Sequence, residues 1–202
     1  MIIKKYDTKE EWLAGRVSKI TGTKLKDIIV KRGTGHKIGF YQLIADRIAK
    51  APDGEDAMER GARLEKEAIE RFEKETKKKV NTDLCIWMRD DNQSVACSPD
   101  GSIHKEHAVV EIKCLSSARH IEAYLTKQVP DEYEAQSIQP FIVNDKLKKL
   151  YFCFYDPRVS YIDFFYLEIT REQVEEKVKE YYEYQIKELA EIEEVVARLS
   201  KF

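Results

Sequence analysis

The residues best suited to act together lie in Ser98-Pro99-Asp100-Gly101 and in Val109-Val110-Glu111-Ile112-Lys113-Cys114. On a strand, Glu111 and Lys113 are two positions apart and share one face, while Val110, Ile112 and Cys114 point the other way, into a core. Asp100 sits at the turn before that strand, where hairpin geometry returns it beside Glu111. Two carboxylates and a backbone carbonyl make a hard-oxygen site suited to Mg²⁺ or Mn²⁺. A neighbouring lysine is a point charge that orients an attacking water and neutralises a phosphate oxygen. Phosphodiester hydrolysis needs those parts. A surface ion pair at a strand end, with Asp100-Gly101 as an ordinary turn, satisfies the same short pattern.

Other elements must position this set. The apolar stripe Ala57, Leu64, Ala68, Ile69 and Phe72 predicts a helix over 56–77. Glu65 lies beside that stripe and can reach a site at the sheet edge, but Glu59, Glu67, Glu70 and Glu73 compete for the same role. Gly61, one turn before Glu65, costs about 1 kcal/mol relative to Ala in a helix interior, so a close approach of another backbone or of DNA is expected there. Period-two or apolar runs predict strands over 80–88, 94–98, 108–114, 149–155 and 161–169. Helices are expected over 8–14, 23–31, 40–49, 117–127, 131–143 and, from a Thr170-x-x-Gln173 capping box, to about 199. The glycine-rich, basic stretch 31–39 reads as a loop. The fold class is α/β, a central mixed β-sheet flanked by helices, in one domain over 1–202. That domain comprises a basic helical segment (1–50), a core (56–169) and a C-terminal helix (170–202).

The net charge of −2 argues against a polyanion-binding surface until its distribution is considered. Residues 1–50 hold 12 Lys/Arg against 5 Asp/Glu, so the acidic excess lies downstream. No apolar run approaches the ~20 residues that span a bilayer. The N-terminus does not read as a signal peptide, and a cytoplasmic location is expected. Cys85, Cys97, Cys114 and Cys153 form no C-x-x-C pair and read as buried thiols. An iron–sulfur cluster on the four is the minor alternative.

Ala96-Cys97-Ser98-Pro99-Asp100-Gly101, then Glu111-Ile112-Lys113-Cys114, then Arg119, resembles phage lambda exonuclease and its YqaJ-like viral recombinase relatives, within the PD-(D/E)-x-K nuclease superfamily. The likeness extends upstream to Trp12-x-x-x-Arg16, to Thr21-Gly22-Thr23 and to Gly61-x-x-x-Glu65. Downstream it includes Tyr133-x-Ala135-Gln136 and Tyr155-Asp156-Pro157-Arg158. All motifs occur in order over residues 10–170. There are departures: Arg60 stands where the family often has Trp, Leu115 where it has Pro, and Ile138 where it has a second Gln. The Asp100-to-Glu111 spacing is also slightly longer. None of these removes a metal ligand.

The resemblance implies a restriction-endonuclease-like core in which Asp100, Glu111 and the Ile112 carbonyl bind one Mg²⁺ (Mn²⁺ can substitute), and Glu65 helps hold a second. It implies that Lys113 and Gln136 assist the nucleophilic water. Arg16, Thr23 and Ser98 would form a pocket for a DNA 5′-phosphate, and Arg119 would contact backbone phosphate. Trp12 reads as core, with stacking on a terminal base as the alternative. The implied activity is 5′-to-3′ exonuclease digestion of double-stranded DNA ends, leaving 3′ single strands. The implied partners are two further copies in a ring-shaped trimer and a phage single-strand annealing protein; the acidic C-terminal helix is either its docking surface or a solvated packing helix. An endonuclease or single-strand nuclease on the same core, or a non-catalytic DNA-end-binding module, shares the short motifs.

Overall fold

A computed structural model describes residues 57–199 and, before them, Thr8, Glu11, Ile38, Tyr41, Gln42, Ile44 and Ala45; side chains are described from residue 63 to 190 and at those single positions. Helix α1, Ala57–Thr76, follows its apolar stripe closely. Leu64, Ala68 and Phe72 are fully buried, with Ile69 beside them. The helix stops where Lys77 turns left-handed, at φ 60°, in the position more often given to glycine. Near the N-terminus Glu11, Ile38, Tyr41, Gln42, Ile44 and Ala45 are helical. Ile38 therefore departs from the loop expected there.

The central sheet has the order β3-β4-β5-β6: Gly101–Ile103, Ala108–Lys113, Lys149–Tyr155 and Phe164–Thr170. The β3/β4 and β5/β6 pairs are antiparallel and β4/β5 is parallel, so the sheet is mixed. A parallel pair needs a long crossover. Here the crossover carries helices α2, Ser117–Thr126, and α3, Glu134–Val143. The strand expected over 80–88 survives only as β1, Trp87–Met88, paired with β2, Ala96–Cys97, and as a lone bridge from Asn81 to Ser102. Beyond that bridge, the alternation of 80–86 meets no strand partner among the described residues, and Leu84 and Ile86 stand in solvent. Strand β3 was not expected at all, since Gly-Ser-Ile has no strand signature of its own.

The sheet separates two cores by period-two alternation. Val110, Ile112, Tyr151, Cys153, Tyr155 and Phe164 pack on α1. Val109, Phe152, Phe154 and Phe165 face Ile138 and Phe141 of α3 on the other side. Helix α4, Arg171–Leu199, opens on one half of the expected box, with the Thr170 N–H donating to Gln173 Oε1 at 2.8 Å. Its Val174, Val178, Tyr181 and Ile186 join the α3 core. Arg171 fastens its start by donating to the Phe141, Asn144 and Leu147 carbonyls. The inner face of α4 is thus a packing face. Among the described residues, no helix is long and apolar enough to cross a membrane.

Candidate active site

The β3–β4 hairpin, not a turn at Asp100 itself, brings the two strand carboxylates together. Its chain reversal is a short 3₁₀ turn, His104–Glu106, closed by left-handed His107. Gly101 pairs with Val110, so Asp100, one residue earlier, comes level with Glu111. Gly101 is required there: a Cβ would stand 2.3 Å from Val80 Cγ1, a stiff β-branched neighbour. Beyond the end of β3, the edge of β4 has no strand partner among the described residues. Asp100 Oδ2 takes that place by accepting the Ile112 N–H at 2.7 Å. The N–H and C=O of one strand residue leave on the same edge, so the Ile112 carbonyl points to the Asp100 side as well.

Glu111 is only 4% exposed, which no surface ion pair would be. Lys113 Nζ donates to Glu111 Oε1 at 2.7 Å, and Gln136 Nε2 donates to the same oxygen at 2.5 Å. Gln136 arrives from the first turn of α3, across the sheet face that Glu111 and Lys113 share. Pro140 lies one turn further on. Having no N–H, it leaves the Gln136 carbonyl without its helical partner. Gln139 Nε2 donates to the Ala96 carbonyl at 3.1 Å, tying α3 to the strand that leads into Asp100.

Glu65 comes from α1, on the other side of the sheet. It lines a cleft of about 450 Å³ with Asp100, Ser98, Leu84 and Val80, and makes no hydrogen bond to the strand pair. The coupling is electrostatic. Partial desolvation, then the Asp100 charge, raises the Glu65 carboxyl, with Lys113 opposing. Burial raises Asp100, against the pull of the Ile112 N–H and Lys113. Burial, followed by the Asp100 charge, pushes Glu111 up to about 7, with Lys113 opposing and Glu65 adding to the rise. Asp100 thus raises both glutamates, and Glu65 adds to the rise of Glu111, as in a site short of positive charge. Among the described residues, no three His, Cys, Asp or Glu side chains stand as a preformed ligand group, and Lys113 and Gln136 hold Glu111 in this structure. The donor set, all oxygen with one strand-edge carbonyl, fits a hard divalent cation.

The other expected residues lie apart. Ser98 is exposed and its hydroxyl donates to the Cys85 carbonyl at 2.7 Å, a turn-satisfying bond at the cleft rim. Arg119 sits on α2, bonded to Glu122 at 2.6 Å with Glu132 at 4.0 Å. It faces a separate groove formed with Thr126, Gln128 and Asp131. Trp12, Arg16 and Thr23 lie outside the described residues. Cys153 is buried, the other three cysteines are half-buried, and all four are free. Burial, then the Glu111 and Cys85 charges, raises the Cys97 thiol to about 12.

Two features carried no assigned role in the sequence reading. Asp156, fully buried, accepts from Arg158 Nε at 2.7 Å and Nη2 at 2.9 Å, and from the Ser117 hydroxyl at 2.6 Å. Arg158 also reaches the Leu115 carbonyl at 3.4 Å. This clamp closes the loop that follows Lys113 onto the end of β5. Tyr133 presents its ring to Lys113, with Nζ 5.1 Å from the centroid. Both belong to motifs visible in the sequence, but their contacts span the crossover and have no local signal.

A mixed sheet flanked by helices, with Asp100 on a hairpin edge, Glu111 opposite it and Lys113 two residues on, defines a nuclease core of the PD-(D/E)-x-K type. Residues 11–146 match the YqaJ-like viral recombinase domain, and the chain belongs to that family. Its fold is similar to the crystal structure of LHK-Exo, an alkaline exonuclease from Laribacter hongkongensis. The TM-score is 0.61 at 26% identity, covering 96% of this chain and 99% of that one. LHK-Exo in complex with dAMP matches with a TM-score of 0.60, at the same identity and coverage. Among curated proteins, no sequence matches this chain. Family and neighbour together make the chain a nuclease.

Proposed function

We propose that this nuclease is a Mg²⁺-dependent exonuclease that digests double-stranded DNA from its 5′ ends and leaves 3′ single strands for recombination. The observation that carries the reading is the buried Glu111 carboxylate, to which Lys113 and Gln136 donate, with Asp100 bonded to the next backbone N–H, that of Ile112. Asp100, Glu111 and the Ile112 carbonyl would hold one ion, and Glu65, across the cleft, a second. Mg²⁺, or Mn²⁺ in its place, supplies Lewis-acid polarisation of the phosphoryl group and a more acidic water. Lys113 neutralises charge building on the phosphoryl oxygens, and Gln136 and Lys113 orient the water. Arg16, Thr23 and Ser98 receive the terminal 5′-phosphate, as guanidinium and hydroxyl donors do. Arg119 exchanges its carboxylate partners for backbone phosphate. The dAMP held by the similar exonuclease is the kind of mononucleotide that stepwise hydrolysis of DNA releases. The working form in this reading is a ring-shaped trimer around DNA, partnered by a single-strand annealing protein.

Linear duplexes with 5′-phosphate or 5′-hydroxyl ends test the reading directly. Nucleotide release should require Mg²⁺ or Mn²⁺, run faster from phosphorylated ends and spare closed circles. Nicking of circles at a comparable rate would make the chain an endonuclease. Lys113→Ala should lower turnover by at least about 100-fold, in the range set by other charge-stabilising groups, while DNA binding in Ca²⁺ survives. A wild-type protein that binds ends but cleaves under no divalent metal would be an end-binding module.

A further inference from the structure

Lys113 ends a long, flexible stem, yet the chemistry proposed for it needs one position beside Glu111. Its hydrogen bond to Glu111 Oε1 gives that position only while the carboxylate oxygen is available. A cation held by Glu111 would draw on that carboxylate, so the amine needs a second hold that does not depend on it.

Tyr133 offers one. Its ring centroid lies 5.1 Å from Lys113 Nζ, within the ~6 Å over which an ammonium is attracted to an aromatic face. The ring itself is seated firmly. Its backbone N–H donates to the Pro130 carbonyl at 2.8 Å, and it packs against Phe152 with centroids 6.4 Å apart. Tyr133 also occupies the N-cap of α3 without making a capping hydrogen bond. Ser, Thr, Asp or Asn is preferred at that position. The helix forgoes its cap for a side chain turned toward the site, one turn before Gln136.

We propose that Tyr133 is a positioning residue whose ring face holds the Lys113 ammonium at the Glu111 carboxylate, so that the amine stays in place when that carboxylate turns to a cation. The hold is by the ring, not the hydroxyl. This rests on the nuclease role given to Lys113 above.

The test uses Tyr133→Phe, Tyr133→Leu and Lys113→Ala, singly and combined, with Tyr133→Met serving if the leucine variant does not fold. One readout needs no activity. The Lys113 Hε/Cε resonance of lysine-labelled protein, assigned by its loss in Lys113→Ala, should be shifted upfield by the ring in the native protein and in Tyr133→Phe. That shift should be lost in Tyr133→Leu. The second readout is turnover. Tyr133→Phe should stay within about twofold of native and Tyr133→Leu should fall about tenfold, as loss of one cation–ring contact in a desolvated site would give. DNA affinity in Ca²⁺ should not change, and Tyr133→Leu should cause no further loss in the Lys113→Ala background. The proposal is overturned if Tyr133→Leu keeps the upfield shift, loses as much turnover without Lys113 as with it, or is matched in its defect by Tyr133→Phe. If the native protein cleaves nothing, the nuclease reading fails, and the resonance alone decides whether the ring holds the amine.

Discussion

Glu111 concentrates the electrostatics of the site in one side chain. Burial, then the Asp100 charge, lifts its carboxyl to about 7, so between the ordinary glutamate range and about pH 7 the folded chain keeps a proton that the unfolded chain has released. Stability must therefore fall as pH rises across that window, by roughly 3 kcal/mol for a shift of this size. The raised Asp100 and Glu65 carboxyls act in the same direction. Without divalent cations, Tm should decline between roughly pH 5 and pH 8, and Glu111→Gln should remove most of the slope. Mg²⁺ added at the alkaline end should raise Tm again, because binding only to the folded state stabilises it. A wild-type Tm that is flat across the window would contradict the burial of an ionisable Glu111.

At the scale of elements, the Asp156–Arg158–Ser117 clamp decides where the strand carrying Glu111 and Lys113 delivers the chain. Burial works against the Asp156 carboxylate, but Arg158 and Ser117 outweigh it and hold its pKa below the usual range. Its contribution is thus present at neutral pH and disappears as pH falls through that depressed value. Arg158→Ala removes the charge partner and leaves a carboxylate that is 0% exposed. The expected loss is about 3–5 kcal/mol in urea unfolding. Ser117→Ala removes a single hydrogen bond, with an expected loss of about 1–3 kcal/mol. Equal losses from the two variants would mean that the guanidinium does not neutralise Asp156.

Across the whole molecule, the site stands at one edge of a four-stranded sheet where both faces can contribute. Helix α1 brings Glu65 from one side, α3 brings Gln136 and Tyr133 from the other, and Asp100 and Ile112 meet on the edge between them. For the proposed ring, light scattering should give a mass about three times the 23.7 kDa of one chain. A protein that stays monomeric at assay concentration and still degrades long duplexes would remove the ring from the reading.

What the sequence determined by itself was what local periodicity can encode. The helical stripe of α1, the alternation of β4, the aromatic strands β5 and β6 and the Thr170–Gln173 cap were all legible. So was the shared face of Glu111 and Lys113, because two strand positions apart is a fact of backbone geometry. Strand β3 was not legible, because Gly101-Ser102-Ile103 becomes a strand only by pairing with the edge of β4. Residues 80–86 carried a strand pattern and found only the single bridge from Asn81 to Ser102. Periodicity placed several glutamates on α1 without separating them, and resemblance singled out Glu65. Its coupling to Asp100 depends on how α1 docks on the sheet. The contacts of Gln136 with Glu111 and of Tyr133 with Lys113 likewise exist only once the crossover folds α3 back over β4. Tertiary packing decided these, since side chains far apart in sequence meet only when the cores on both sides of the sheet have formed.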